Sequence, residues 1–433
     1  DTYRTPTAVD SVIIVVDVAK GVETQTRKLM EVCRMRNTPV IIFVNKLDRE
    51  GRDPFEILDE LEAELKIAVR PLSWPINIGA KFKGVYNIYE HAIDLFTPDK
   101  QKATERVEID NVDDPRIDAA VGEQDARQLR DDLELIEGVY PDFDVDQYLA
   151  GKLAPVFFGS ALNTFGVKEL LDCFVKIAPS PRPIEALERT VKPEEEHFSG
   201  FVFKIHANMD PNHRSCIAFV KVCSGRFERN APYKQIRTGK TLRFAAPTAF
   251  MAQKKSIVDE AYPGDIVGIP DTGNFKIGDT LTEGEEIHYK GLPSFSPEMF
   301  MYIENADPMK AKQLEKGIQQ LMDEGVAQLF IHQFNGRKVI GTVGQLQFEV
   351  IQYRLLHEYG AQCRWEPMSM YKACWIESDD ADALEAFKKR KHQFMAVDRE
   401  GRDVFLADSQ FVLTMAQNDF PKIRFSFSSE KGF

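Results

Sequence analysis

The tetrapeptide Asn45-Lys46-Leu47-Asp48 closes the apolar run Pro39-Val40-Ile41-Ile42-Phe43-Val44, so a buried strand delivers an amide, an ammonium and a carboxylate to its carboxyl end. A carboxylate placed there can accept from the ring N1–H and the exocyclic amine of guanine together, and adenine does not offer both donors in that arrangement. A buried acceptor left without donors bears its full desolvation cost, so such a site can discriminate by about 10⁴-fold. Asp48 is therefore the selecting group. The stem of Lys46 can lie along the base with its ammonium in water, Asn45 can fasten neighbouring loops, and Leu47 turns inward as packing. The competing structural reading is a solvated helix start with Asp48 as its cap.

A second loop supports the first. The apolar strand Ala154-Pro155-Val156-Phe157-Phe158 runs into Gly159-Ser160-Ala161-Leu162, where small residues let backbone N–H groups approach a ligand, and Ala161 is expected to donate to guanine O6. Both loops then lie past the carboxyl ends of strands, where open α/β sheets bind ligands. Alone, a Gly-Ser-Ala turn is punctuation. Together the loops nominate Asn45, Lys46, Leu47, Asp48, Ser160, Ala161 and Leu162 as a guanine-binding set, with no catalytic and no metal-binding residue among them.

Phosphate chemistry has no matching motif, since no G-x-x-x-x-G-K-[ST] run occurs. Gly239-Lys240-Thr241 carries only its last three letters, with Lys234 where the first glycine belongs. Asp265-Ile266-Val267-Gly268 spells D-x-x-G but follows a Pro263-Gly264 turn. Both read as structural. The stretch from Asp10 to Asp17 is already a parallel-type buried strand, so the phosphate-binding half is expected to precede Asp1. On that expectation the chain by itself does not hydrolyse a nucleoside triphosphate.

The positioning elements follow from periodicity. Before about residue 178, apolar strands alternate with amphipathic helices at Asp53 to Leu65 and Val167 to Ile177, the pattern of a parallel sheet covered on both faces. Residues 1–182 form this nucleotide domain, with a rim insertion at about 66–150 that holds an acidic helix, Gln124 to Glu137. The Pro-rich stretch Ala178 to Pro183 and the charged stretch Lys192 to Glu196 mark a linker at 183–197. From 198 to 293, short β-rich runs punctuated by Gly225, Gly239, Gly273 and Gly278 predict a small β-barrel ending near Leu292. Residues 294–433 form an α+β domain whose first part reads strand, helix, strand, strand, helix, strand. Its helices carry Leu314, Ile318, Leu321 and Phe348, Ile351, Leu355 in register, a ferredoxin-like order.

With 433 residues, 43% hydrophobic and 28% charged, the chain has material for two or three cores and no apolar run long enough to span a bilayer. A formal charge of -13 argues against indiscriminate nucleic-acid binding, so a nucleic-acid partner must be met by local patches. Lys388-Lys389-Arg390-Lys391-His392 is the one strong basic run, read as a solvated helix face or as a contact with RNA. Six cysteines without a C-x-x-C pair, and eight histidines without metal-ligand spacing, predict free thiols and no structural zinc.

The residues also resemble a known family. Tyr3-Arg4-Thr5 with Ala8-Val9-Asp10, the strand Ile13 to Asp17, Gly21-Val22-Glu23 with Gln25-Thr26, and Asn45 to Asp48 resemble the translational GTPases, the elongation-factor-G-like family, just past their second switch. Gly200 to Ile205 with Ala207-Asn208-Met209-Asp210-Pro211 and His213-Arg214 is similar to the bacterial peptide-chain-release branch of that family. The resemblance implies a partial α/β P-loop-type G domain, a translation-factor β-barrel and an α+β ferredoxin-like C-terminal domain. It carries Asn45, Lys46 and Asp48 over as the base motif, and Ser160, Ala161 and Leu162 as the second base loop. It further implies GTP and GDP as ligands, with Mg held by a preceding segment. The implied partners are the ribosome, through its RNA and proteins, and class-I peptide release factors. It implies a cytoplasmic monomer that meets neither membrane nor DNA. The implied function is GTP-dependent recycling of the stop-codon-decoding factor. The alternatives are an elongation-factor-G-like translocase or ribosome-protection GTPase, and a nonenzymatic ribosome- or guanine-nucleotide-binding protein.

Overall fold

The computed structural model describes residues 5–97, 105–207, 216–251, 254–271, 274–289 and 293–430. Tyr3, Arg4, Asn208, Met209, Asp210, Pro211, His213, Arg214, Gly273 and Leu292 of the sequence reading lie outside the described residues. The chain divides into two compact units, Thr2–Arg182 and Pro183–Phe433.

The first unit opens with β1 (Val12–Asp17), α1 (Thr24–Met35), β2 (Val40–Asn45), α2 (Pro54–Leu65) and β3 (Ala68–Pro71). An antiparallel sheet follows, built from β4 (Ser73–Ile76), β5 (Gly84–Asn87), β6 (Ala92–Leu95) and β7 (Glu105–Glu108). Then come α3 (Pro115–Val121), α4 (Glu123–Val139), α5 (Val145–Leu149), β8 (Leu153–Phe158) and α6 (Val167–Ile177). The main sheet has the order β1-β2-β8-β3 and every pairing in it is parallel.

Burial on both faces explains why β2 is apolar throughout. Val40, Ile42 and Val44 pack with Met30, Ile57 and Leu61 on the α1/α2 side, while Ile41 and Phe43 pack with Leu170, Cys173 and Ile177 of α6. Asp53 starts α2 by accepting from the Phe55 N–H, and Pro54 takes the first helical position, where its missing N–H costs nothing. β1 departs from the expected fully buried strand. It is a sheet edge whose Ile14 and Val16 are buried while Val15 is 59% exposed. The stretch 66–150 also does not leave the sheet at once, because Ala68–Pro71 pairs with Leu153–Val156 as the fourth strand. Four residues are too few to show a period, so this strand was hidden in the sequence.

The second unit begins with the paired stubs β9 (Ile184–Glu185) and β10 (Thr190–Val191), followed by β11 (Ser199–Ala207), β12 (Cys216–Ser224), β13 (Phe227–Glu228) and β14 (Tyr233–Gln235). β15 (Lys240–Leu242), β16 (Thr248–Met251), β17 (Lys254–Ile257), β18 (Glu260–Ala261), β19 (Ile266–Asp271) and β20 (Thr280–Thr282) complete this region. Eight of these strands form one antiparallel, barrel-like sheet in the order β15-β14-β20-β11-β12-β19-β16-β17. Phe198, Phe227, Tyr233 and Phe244 stack in its interior, with the Phe198 and Tyr233 ring centroids 4.5 Å apart. Gly225 has φ +62, and a Cβ there would stand 2.3 Å from the His197 carbonyl carbon, so only glycine fits. Gly239-Lys240-Thr241 lies in the β14–β15 hairpin, and Asp265 closes the turn before β19, whose first three residues are Ile266 to Gly268.

After β21 (Pro293–Phe295) the chain forms β22 (Met299–Asn305), α7 (Ala311–Asp323), β23 (Gln328–His332), β24 (Lys338–Thr342), α8 (Gln345–Tyr359) and β25 (Cys363–Pro367). The same order then recurs in β26 (Lys372–Glu377), α9 (Ala381–Arg390), β27 (Met395–Asp398), β28 (Asp403–Ala407), α10 (Gln410–Asp419) and β29 (Arg424–Ser426). A last strand, β30 (Ser428–Glu430), pairs with β21. The region after Tyr371, for which the sequence pattern predicts no particular fold, is thus a second ferredoxin-like half. Both halves share one sheet, β25-β22-β24-β23-β27-β28-β26-β29, joined where β23 meets β27. Their helices cover one face in two separate cores. On the other face Phe330 lies 6.3 Å from Phe300 and 6.2 Å from Trp375, so the sheet curls over a core common to both halves.

Candidate functional site: two loops at the carboxyl edge of the parallel sheet

The parallel register sets Asp17 beside Asn45, so β1 and β2 end level and their polar termini face the same edge. Asn45 works as a clasp. Its Oδ1 accepts from the Lys46 N–H and from the Ala161 N–H, each at 2.8 Å. The Leu47 N–H donates to the Gly159 carbonyl at 3.2 Å, its own carbonyl accepts from the Gly79 N–H at 2.8 Å, and its side chain is fully buried. These bonds bring both nominated loops together.

Lys46 turns the chain with φ +71 and sends its ammonium to Asp17 Oδ2 at 2.7 Å. That bond, together with N–H groups donated by Ala19 and Lys20, holds the Asp17 carboxyl below its usual range against the opposing effect of burial. Asp48 Oδ2 accepts from the Asn163 amide at 3.3 Å, and the same amide nitrogen donates to Ser160 Oγ at 2.9 Å. Ser160 is buried, whereas Leu162 is 60% exposed at the rim. A carboxylate has about four acceptor positions, so the Asn163 bond leaves Asp48 room for the two donors of a guanine edge.

Two particulars differ from the sequence reading. The Ala161 N–H, expected on a ligand oxygen, is taken by Asn45. Gly159 is small for a different reason: a Cβ there would lie 2.3 Å from the Phe165 carbonyl oxygen and 2.8 Å from the Phe43 ring. Asp17 and Asn163 escaped sequence reasoning because both lie outside the motif letters. A signal for Asp17 existed, since parallel neighbouring strands of equal length place their terminal residues side by side. A shallow cavity of about 510 Å³ lies elsewhere, among Arg34, Asn37, Lys66 and Lys152 at the amino ends of β2, β3 and β8. The two nominated loops lie instead at the carboxyl edge, joined by the Asn45 and Asp48 bonds. Among the described residues no group of three or more His, Cys, Asp or Glu is placed to hold a metal ion. No described helix is long and apolar enough to cross a membrane.

Three family models cover the chain in order. Residues 1–180 match the elongation factor Tu GTP-binding domain, 197–284 match elongation factor G domain 2, and 289–417 match the C-terminal domain of the class II release factor RF3. Each model matches less than half of the chain, and the three in this order support an RF3-like translational GTPase. A crystal structure of a protein from Thermus thermophilus shares the fold, with a TM-score of 0.64 and 19% identity. The match covers 88% of this chain and 58% of that one. In this family frame, the β1-β2-β8-β3 sheet is the G-domain portion, the barrel-like sheet is its second domain, and the double ferredoxin-like sheet is its C-terminal domain.

Proposed function

We propose that this chain carries the guanine-selecting and ribosome-docking parts of a GTP-dependent termination factor. In the cytoplasm, acting as a monomer, that factor promotes departure of the class-I release factor from the ribosome after peptide release. The observation that carries the reading is the convergence of Asp48 with the Ser160–Asn163 turn, in a chain whose C-terminal region matches the RF3 family. Asp48 selects guanine, Leu47 and Asn45 lock the loops, and Lys46, tethered to Asp17, lines the base face. The division at 182/183 separates this nucleotide reader from the region whose surfaces would dock. GTP hydrolysis proceeds by in-line water attack on the γ-phosphoryl, with Mg supplying charge neutralisation when bound.

The test is Asp48→Asn in the complete factor, with GTP and xanthosine triphosphate competing for a fluorescent nucleotide's site. The exchange replaces an acceptor by a donor, so guanine affinity should fall by about 100-fold or more while xanthine gains. Retained preference for GTP would sink the base assignment. Ribosome assays that show messenger movement in place of factor release would sink the termination role.

A further inference from the structure

The β23–β24 hairpin meets the start of β27, just past α9, where the two ferredoxin-like halves join, since the Gln333 N–H donates to the Met395 carbonyl at 2.8 Å. At the hairpin tip Phe334 is 62% exposed, yet its ring is held. It stands edge-on to His392 at 5.1 Å and to His332 at 6.5 Å between centroids. A large aromatic ring kept upright in water, with no core behind it to join, presents a free face.

The basic run Lys388 to Lys391 leads directly into His392, the ring's partner. Lys388 is spent on Asp403 at 2.9 Å and Glu385 at 3.4 Å, and Arg390 lies over the Phe420 ring at 5.8 Å. Lys389 and Lys391 enter none of the ion pairs among the described residues. The hairpin's cations are by contrast engaged: Arg337 is held between Glu304 and Glu366 and over the Tyr302 ring at 3.7 Å, and Lys338 is paired with Glu315. A helix carboxyl end favours positive charge, which accounts for cations near α9's last turn but not for an exposed ring next to them. In a chain of net charge -13, two unspent lysines within three residues of His392, which holds the Phe334 ring, are a local exception.

We propose that Phe334, His392, Lys389 and Lys391 form a binding face for an unpaired RNA segment, with a base stacked on Phe334 and phosphates on the lysines. Single strands are recognised by this combination of a stacking platform and backbone cations, whereas a duplex keeps its bases stacked inside. An acidic protein segment could use the lysines but would leave the ring idle. The inference makes no use of the base loops, so it stands or falls apart from the guanine reading. It does give the proposed ribosomal docking a specific surface.

The experiment is fluorescence anisotropy of a short single-stranded RNA titrated with the 433-residue chain across a salt series. Phe334→Ala should weaken binding about tenfold with an unchanged salt slope, and Phe334→Trp should keep it, because stacking is insensitive to salt. Lys389→Ala with Lys391→Ala should weaken binding and flatten the slope by about 0.7 per lost phosphate contact. Equal binding by all variants, or equal binding of duplex RNA, would overturn the proposal. Poly-glutamate binding more tightly than RNA with no response to Phe334→Ala would replace it with an acidic protein partner. Ribosome binding without oligonucleotide binding would overturn this face while leaving the ribosomal reading intact.

Discussion

The two ferredoxin-like halves of the C-terminal domain repeat one order of elements and handle polarity in opposite ways. In the first half Arg354 of α8 is mostly buried between Glu324, at 2.8 and 3.0 Å, and Glu358, at 2.7 and 3.0 Å. Burial opposes the charge on Arg354, and the bonds to Glu358 and Glu324 outweigh it. The second half has an all-aromatic centre instead, with Phe387 set edge-on to Phe405, Phe420 and Phe425 at 5.4, 4.9 and 5.7 Å. Of its ion pairs, Lys422–Asp380 and Arg424–Asp379 lie on the surface, while Arg402 reaches the buried Asp398 at the edge of the seam at 2.7 Å. The order of elements is therefore indifferent to what lies between helix and sheet, provided that apolar stripes meet. The ion triad ties α7 to α8, while the ring cluster holds its layers by area alone.

The sharpest way to break this comparison is Phe387→Ala, which removes the ring at the centre of the second core and should cost about 4 kcal/mol. Urea unfolding of the full chain measures it, and a separate early transition would show that the halves melt independently. Arg354→Ala comes next, at about 3 kcal/mol, because it strands Glu324 in the interior. Exchanging Arg354, Glu324 and Glu358 together for apolar residues should return most of that loss. If it does not, the triad does more than fill space.

A smaller effect belongs to the seam. His332, on the joining strand, is buried, and burial lowers its pKa from 6.5 although the Gln393 carbonyl supports the proton; Arg337 also opposes it. The unfolded chain therefore takes up this proton first, and stability should decline as pH falls below about 6.5. His332→Gln should flatten that decline in pH-dependent thermal melts, and an unchanged profile would remove the seam as its source. The smallest effect is expected of Lys422→Ala and Arg424→Ala, whose fully exposed pairs should leave the unfolding midpoint where it was.

Legibility differed along the same line. The first half could be read element by element because α7 and α8 are long and their apolar positions repeat cleanly through Leu314, Ile318, Leu321 and Phe348, Ile351, Leu355. The second half was not legible. Met395–Asp398 and Asp403–Ala407 are four and five residues long, and α10 buries only Leu413 and Ala416. Its order appears only once β27 is seen lying along β23. At the proposed base site the motif letters singled out two loops that the hydrogen bonds bring together. Register, not chemistry, brought in Asp17, and a local turn brought in Asn163, neither of which a linear pattern encodes.

The clasp made by Asn45 also has a consequence in time. Its two donors, Lys46 and Ala161, are 1 and 116 residues away along the chain. At a synthesis rate of about 5–20 residues per second, the second donor is made roughly 6–23 seconds after the first. Through that interval β2, destined for the middle of the sheet, has no β8 beside it and its carboxyl end has nothing to close upon. The nascent chain thus carries an open apolar edge until the second loop emerges, and the clasp closes only after most of its first unit has been synthesised.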